Sequence, residues 1–183
     1  MKKLFLFLLL AVFVFASGKA AFAQTQDTAS SAAYIKYDLA YPGILPDNPL
    51  YKLKVLRERI TEFLISNPRD KADYYLLQAD KGILATAILI DKKKIDLAGT
   101  TALKAENNMT LLTYELYKLT QKPDSNFINK LKTASFKHQE VLKTIISRVA
   151  QDKQKSFIDV LNFSKTNLQT IQKFEMKKFY IHQ

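Results

Sequence analysis

Apolar residues recur along most of the chain at alternating spacings of three and four, which is the period of an amphipathic α-helix. Five such stretches follow residue 47, and proline, glycine or polar residues separate them. The rhythm of the later stretches is typical of helices that pack lengthwise. The pattern therefore predicts an all-α fold, an elongated antiparallel bundle of about five helices.

Proline residues mark the starts of the first two helices. The run Asp47-Asn48-Pro49 predicts a first helix that continues to about Ser66, with the Asp47 or Asn48 side chain as its N-cap. The pair Asn67-Pro68 predicts the end of that helix and the start of a second. The apolar positions of the first helix are Leu50, Leu53, Leu56, Ile60, Phe63 and Leu64.

Three further helices follow. The second is expected to end near Lys92-Lys93-Lys94, and Gly99 lies in the predicted turn before the third. The run Pro123-Asp124-Ser125 restarts the chain for a fourth helix, and the apolar stripe loses phase near residues 150–152, where the fifth begins. The stripe of the fourth helix consists of Ile128, Leu131, Ser135, His138, Leu142, Ile145 and Val149.

The N-terminus has the organisation of an export signal. Lys2-Lys3 precede thirteen apolar residues, 4–16, and the small-residue pattern Ala21-Phe22-Ala23 follows. This arrangement predicts a secretory signal peptide that is cleaved after the pattern. A retained signal anchor is the alternative, but a membrane span needs about 20 apolar residues and Lys19 interrupts the run. We expect export to the periplasm or the extracellular space.

The sequence thus predicts three parts: residues 1–23 as the signal peptide, 24–46 as a linker and strap, and 47–183 as the helical domain. The first ten residues of the linker are small and polar, so we expect them to be disordered. The tyrosines after them are expected to lie against the helical body as a strap, with an exposed binding strip as the alternative. They are Tyr34, Tyr37 and Tyr41.

The composition lacks the residues and motifs on which most catalytic and metal-binding sites depend. The chain has no cysteine and only two histidines, and it contains no phosphate-binding loop and no nucleophile elbow. We therefore expect no enzyme activity, no metal and no cofactor. His138 has no second donor at helical spacing, so it is expected in the core, bonded to a neighbouring helix and held neutral at pH 7 by burial.

Two pairs of carboxylates share helix faces, and each pair lies among lysines. They are Asp70 with Asp73 and Asp152 with Asp159. Because exposed carboxylates beside lysines are ordinarily ion-pair partners, we expect these to be so rather than a catalytic acid and base.

The net positive charge is concentrated in the C-terminal third. Residues 122–183 hold twelve lysines and arginines against five acids, whereas residues 24–121 are nearly balanced. A basic helical face could contact an anionic envelope polymer, a lipid surface or another envelope protein, or serve solubility alone. Nucleic acid is a poor partner, because Arg148 is the only arginine there. The candidate contacts are Lys165, Lys173, Phe174, Lys177, Lys178 and Phe179.

The first helix also carries a resemblance. The segment Leu45-Pro46-Asp47-Asn48-Pro49-Leu50-Tyr51-Lys52-Leu53-Lys54, followed by Asn67-Pro68-Arg69-Asp70-Lys71-Ala72, resembles the opening of a bacterial secreted family of helical domains of unknown function. The similarity covers about residues 41–175. It implies an all-helical fold and export, and it assigns no activity and no catalytic residue.

These features favour an exported, non-enzymatic binding or structural module at the bacterial cell envelope. One alternative is a periplasmic sensor or stress-response protein that binds a small ligand or ion. Another is a membrane-surface module docked by the basic C-terminal helix. A sensor is expected to contain a closed, polar-lined cavity, whereas a scaffold is expected to be packed solid.

Overall fold

The computed structural model of the protein describes residues 35–177, which form five α-helices and no β-strand. The helices are α1 (Tyr51–Leu64), α2 (Pro68–Asp91), α3 (Ile95–Lys118), α4 (Ser125–Arg148) and α5 (Gln151–Glu175). The predicted all-α class is confirmed. The predicted signal peptide, the polar linker, Tyr34, Lys178 and Phe179 lie outside the described residues.

Helices α2 and α3 form a tight antiparallel hairpin. A β-carbon added at Gly82 on α2 would come 2.6 Å from the Ala105 β-carbon on α3, so the two backbones meet closely there. The turn between the helices is formed by residues 92–94, and Lys93 adopts a positive φ of 57°. The prediction that Gly99 lies in this turn is wrong, because Gly99 is buried within α3 beside Ser156 of α5.

The core of α2 to α5 consists of two apolar clusters. Along α4, Leu131 and Ala134 belong to the first cluster and Leu142 to the second. His138 lies between them and is fully buried. The other helices change cluster at the same level, so a polar layer separates the two apolar ones. The largest fully buried side chains are Phe157, Phe174, Leu76, Ile83, Leu89, Met109, Leu112, Leu116, Ile128, Leu131, Leu142 and Ile145.

Polar side chains begin two of the predicted helices. The Asn67 side chain accepts hydrogen bonds from the backbone N–H groups of Arg69 and Asp70 at 2.8 and 3.3 Å, and Pro68 occupies the first helical position. Asp124 accepts from the Phe127 N–H at 2.8 Å at the start of α4. The predicted restarts at both prolines are therefore confirmed.

The predicted N-cap of α1 is wrong. Asp47 instead pairs with two lysines of the α2–α3 turn, Lys92 at 3.0 Å and Lys94 at 2.9 Å. Hydrogen bonds from Lys94 and Lys92 lower the pKa of Asp47 to about 2. Asn48 closes a turn by accepting from the Leu50 N–H at 2.9 Å. The residue at the N-cap position is Leu50, whose side chain offers no hydrogen bond.

Candidate functional site

Helix α1 turns its apolar side chains to solvent. We define its outer face as Leu50, Leu53, Leu56, Ile60, Phe63 and Leu64. These side chains are 54% to 85% exposed, and no residue of the helix is buried. A stripe of this spacing ordinarily faces a protein core. An exposed patch of large apolar side chains on a folded domain is typical of an interaction site.

The opposite side of α1 is polar and attaches the helix to the body. The Tyr75 hydroxyl donates to Glu62 Oε1 at 2.6 Å, and the Tyr74 hydroxyl donates to the Glu58 carbonyl at 2.7 Å. Lys54 Nζ donates to two carbonyls of the preceding segment, at 2.8 and 3.2 Å. The amphipathy of α1 is thus inverted, because polar groups face the protein and apolar groups face water.

The charges of α1 are segregated in the same way. Its two acids, Glu58 and Glu62, are half-buried on the inner side. Its exposed charges are all positive: Lys52, Arg57 and Arg59. Each of these cations stands four positions from a residue of the outer face, which places the two side chains one helical turn apart. The outer face is therefore bordered by cations.

A groove of about 370 Å³ runs beneath α1, between that helix and the α2–α3 hairpin. It opens to solvent, and charged or amide side chains from all three helices line much of it, among them Glu58, Arg59, Lys81, Lys104 and Asn108. Glu58 Oε1 is buried here without a hydrogen bond, and Lys54 Nζ lies 3.7 Å away. The groove is the space left by a helix that is held through long polar side chains.

The polar layer of the core is organised around His138. Its Nε2 lies 2.9 Å from Asp80 Oδ1 on α2, and its Nδ1 lies 3.0 Å from Glu106 Oε1 on α3. Asn167 on α5 donates to Glu106 Oε2 at 3.1 Å and to the Glu106 carbonyl at 2.9 Å. Thr110 donates to the Asn167 amide oxygen at 2.9 Å. All four long helices therefore contribute to this network.

His138 is buried as predicted, but it is positively charged rather than neutral. Burial opposes the charged imidazolium, yet the hydrogen bonds to Asp80 and Glu106 outweigh burial and raise the pKa of His138 to about 9. The prediction of a neutral ring is wrong because it considered the burial of the ring but not the two carboxylates that bind it. These carboxylates lie at opposite nitrogens of the ring, and residues 35–177 contain no group of metal-binding side chains.

The segment before α1 lies against this network. The Tyr37 hydroxyl donates to Asp80 Oδ2 at 2.7 Å, and the Ile35 N–H donates to Glu140 Oε2 at 3.1 Å. Burial, together with the hydrogen bond to Asp80, raises the pKa of Tyr37. Tyr41, by contrast, is 76% exposed. The strap thus meets the body through Tyr37, whose hydroxyl extends the buried network to the protein surface.

One residue of the predicted basic contact set is buried in the core. Phe174 is 1% exposed, and its ring packs edge-on against Tyr117 with 5.5 Å between ring centres. It is therefore a core residue and is not available as a surface contact. Lys177 is exposed and its Nζ lies 5.6 Å from the centre of the Tyr117 ring.

The other described members of that set lie at the protein surface, and their contact with an anionic partner stays a prediction. Lys165 and Lys173 are exposed on α5, and Lys165 Nζ lies 3.4 Å from Asn162 Oδ1. Lys178 and Phe179 lie outside the described residues. The aromatic contact expected beside these lysines therefore does not come from Phe174.

One carboxylate of each predicted pair has a cationic partner. Asp73 contacts Arg69 at 3.3 Å and Lys130 at 3.0 Å, and Asp159 contacts Lys155 at 2.9 Å. These partners confirm the expected ion pairing for Asp73 and Asp159. Such pairs at the protein surface contribute little free energy of folding.

The sequence pattern predicts that His138 is buried, but it does not predict the partners of the ring. Asp80 follows Ala79 within the apolar stripe of α2, and Glu106 follows Ala105 within that of α3. A single carboxylate at a core-facing position is a usable signal, since a buried charge needs a partner. Asn167 precedes Leu168 within the apolar stripe of α5, but an amide carries no charge and so gives a weaker signal than a carboxylate.

Comparison with known proteins gives a family and no activity. No helix within residues 35–177 is long and apolar enough to span a bilayer. No curated protein and no solved structure matches the chain. A family model described as "Domain of unknown function (DUF5667)" matches residues 43–173, which include all five helices except the end of α5. The chain therefore belongs to the family of domains of unknown function described as DUF5667.

Proposed function

We propose that the protein is an exported, non-enzymatic helical binding module of the bacterial cell envelope, and that the outer face of α1 is its binding surface. The observation that carries this proposal is the inverted amphipathy of α1. Six large apolar side chains are left in water while the polar side of the same helix is hydrogen-bonded to the body. Covering them would recover about 25 cal/mol for each Å² removed from water.

The polar features of the body support binding rather than catalysis. Both ring nitrogens of His138 are occupied by carboxylates inside a fully buried layer, so the imidazole is closed to a substrate. Asp73 and Asp159, the carboxylates with cationic partners, are engaged in surface ion pairs. Export is supported by the signal-like N-terminal sequence, with its lysine pair, apolar run and small-residue pattern.

The sensor alternative requires an enclosed polar cavity. The groove beneath α1 opens to solvent, and the layer around His138 is filled by its own hydrogen-bonded side chains. Neither place offers the enclosed site that a small ligand needs. The binding module is therefore the better supported function.

Fractionation of the native cells tests the proposal. The wild-type chain is compared with a variant in which Leu53→Gln, Ile60→Gln and Phe63→Gln replace apolar residues of the outer face. Glutamine keeps helix propensity and removes the apolar surface. We expect the wild type in the envelope fraction, and the variant in the soluble exported fraction with unchanged circular dichroism.

A matched control replaces three exposed apolar residues of other helices: Leu77, Leu103 and Ile158, each with glutamine. This control is expected to stay with the envelope. If the wild type is found in the cytoplasm, export is wrong. If the α1 variant and the control partition alike, the outer face is not the binding surface.

A further inference from the structure

We infer that the outer face of α1 docks on an anionic lipid surface, with the helix lying in the plane of the bilayer interface. This inference rests on the proposed function, because it names the partner of the same surface. The juxtaposition that carries it is a row of exposed apolar side chains bordered by three exposed cations, on a helix whose acids face the protein.

The apolar part of the surface has the form of an interfacial helix. Leu53, Ile60 and Leu64 lie along its centre, and Phe63 is the most exposed side chain, at 85%. Helices that lie on membranes bury such a stripe about 5–10 Å into the boundary between headgroups and acyl chains. The polar side of α1 stays hydrogen-bonded to the body, so insertion requires no rearrangement of the helix.

The charged part of the surface selects anionic headgroups. Lys52, Arg57 and Arg59 are exposed, although Arg59 also lines the groove beneath α1. The long side chains of these residues can keep their charges at headgroup level while their stems cover apolar surface. Glu58 and Glu62 are turned to the body, and Glu62 is held there by Tyr75. No acid of α1 would therefore oppose an anionic surface.

A second copy of the chain fits this surface less well. The helix has 14 residues and is about 21 Å long, so a stripe about 10 Å wide offers roughly 200 Å². A stable interface needs about 800 Å² from each partner. Two outer faces brought together would also place their cations against one another without acids between them, which is unfavourable.

Tryptophan fluorescence tests the inference, because the chain has no tryptophan of its own. Phe63→Trp in the full-length chain places one probe on the outer face. Phe136→Trp places a matched probe on α4, where the native side chain is 43% exposed. Each variant is titrated with phosphatidylcholine vesicles, and with vesicles of two parts phosphatidylcholine to one part phosphatidylglycerol.

We expect the emission of the α1 probe to shift to the blue with the anionic vesicles and much less with the neutral ones. The α4 probe should not shift. Adding Lys52→Gln, Arg57→Gln and Arg59→Gln to the α1 probe should lower vesicle partitioning by about a hundredfold, since each cation near such a surface contributes about fivefold. Binding should also weaken as salt rises through about 0.15 M.

Three results would overturn the lipid inference. Equal shifts of both probes would mean that another segment tethers the chain. A shift that depends on protein concentration without vesicles, with dimers in sedimentation, would make a second copy the partner. No shift under any condition would exclude lipid. If fractionation still depends on the outer face, the proposed function stands without the lipid, and if it does not, both fail.

Discussion

Helices α1 and α4 carry apolar residues at the same helical spacing, yet they turn them in opposite directions. Along α4, Leu131, Leu142 and Ile145 are at most 1% exposed. Along α1, Leu53 and Ile60 are more than half exposed. The difference lies in the other side of each helix, because the polar side of α1 is bonded to the body, whereas the polar side of α4 faces solvent.

This comparison shows what periodicity determines and what it leaves open. The spacing fixes which residues share a face of a helix. Whether that face packs against the protein or is exposed to solvent depends on the hydrogen-bonding partners of the opposite face. For α1 those partners are Tyr74, Tyr75 and the carbonyls near residue 43. The same pattern thus builds a core in one region and a candidate docking surface in the other.

The two regions should differ most in the free energy of unfolding that is lost when one phenylalanine of each is replaced by alanine. Phe157→Ala removes a fully buried ring and should lower the free energy of unfolding by about 3–5 kcal/mol. Phe63→Ala removes a ring that is 85% exposed and should cost less than about 0.5 kcal/mol. Urea denaturation measures both. Similar losses would mean that the outer face of α1 is packed.

The buried layer should make stability depend on pH in the alkaline range. The pKa of His138 is raised from its ordinary value of about 6.5 to about 9 in the folded chain. The charged imidazole therefore contributes fully to the free energy of unfolding below about pH 6.5, and this contribution is lost as pH rises through about 9. The total is about 3 kcal/mol, since each pKa unit is worth about 1.4 kcal/mol.

Two measurements test this dependence. Unfolding by urea between pH 6 and pH 10 should show the loss in the wild type, and His138→Gln should remove that slope. An NMR titration of the imidazole should give a midpoint near 9. The groups that face the ring are Asp80 and Glu106, and Tyr37 and Asn167 lie beyond them. A midpoint at or below 6.5 would restore the neutral ring and contradict the ion-paired layer.

The strap should contribute less to the free energy of unfolding than the charged His138 does. Tyr37→Phe removes the hydroxyl that donates to Asp80, so one oxygen of a buried carboxylate loses its partner. We expect a loss of about 1–2 kcal/mol in the free energy of unfolding. Tyr41→Phe is the matched control, because that side chain is 76% exposed, and it should change nothing measurable. Equal effects would mean that the strap is not fixed through Tyr37.

The smallest difference in stability should be that between variants of the two asparagines that precede helices. Asn67→Ala removes the N-cap of α2 and should cost about 1 kcal/mol. Asn48→Ala removes only a turn contact before α1 and should cost less than about 0.5 kcal/mol. Thermal unfolding of the two variants gives the comparison. A larger loss at Asn48 would support the N-cap that the sequence predicted for α1.

Much of the α2–α5 body could be predicted from sequence because its signals are local. Asn67-Pro68 and residues 123–125 mark helix starts by the chemistry of one or two side chains. The apolar stripes of α4 and α5 are long enough to fix their buried faces. The end of α2 near residues 92–94 could be predicted, but the positive φ of Lys93 could not, since it is permitted by the surrounding hairpin and not by the lysine's own preference.

The candidate site was harder to predict because it depends on contacts distant in sequence. His138 carries a charge only because Asp80 and Glu106 reach it from 58 and 32 positions away. The inner side of α1 is held by hydrogen bonds to the body, among them the one from Tyr75 to Glu62 13 positions earlier, and the outer face is left exposed. Phe174 fits a basic surface motif in the sequence, but its ring is buried in the first apolar cluster and packs edge-on against Tyr117 on α3.

Thiol labelling tests the inverted amphipathy of α1 most directly, because the chain contains no cysteine. Phe63→Cys introduces one thiol on the outer face, and Ala134→Cys introduces one at a fully buried position of α4. In dilute, vesicle-free solution we predict that the thiol at position 63 reacts as fast as a free thiol in a small peptide, while the thiol at position 134 reacts only when the protein unfolds. Slow reaction at position 63, restored by urea together with that at position 134, would show that the outer face is covered by the protein itself and would contradict the account.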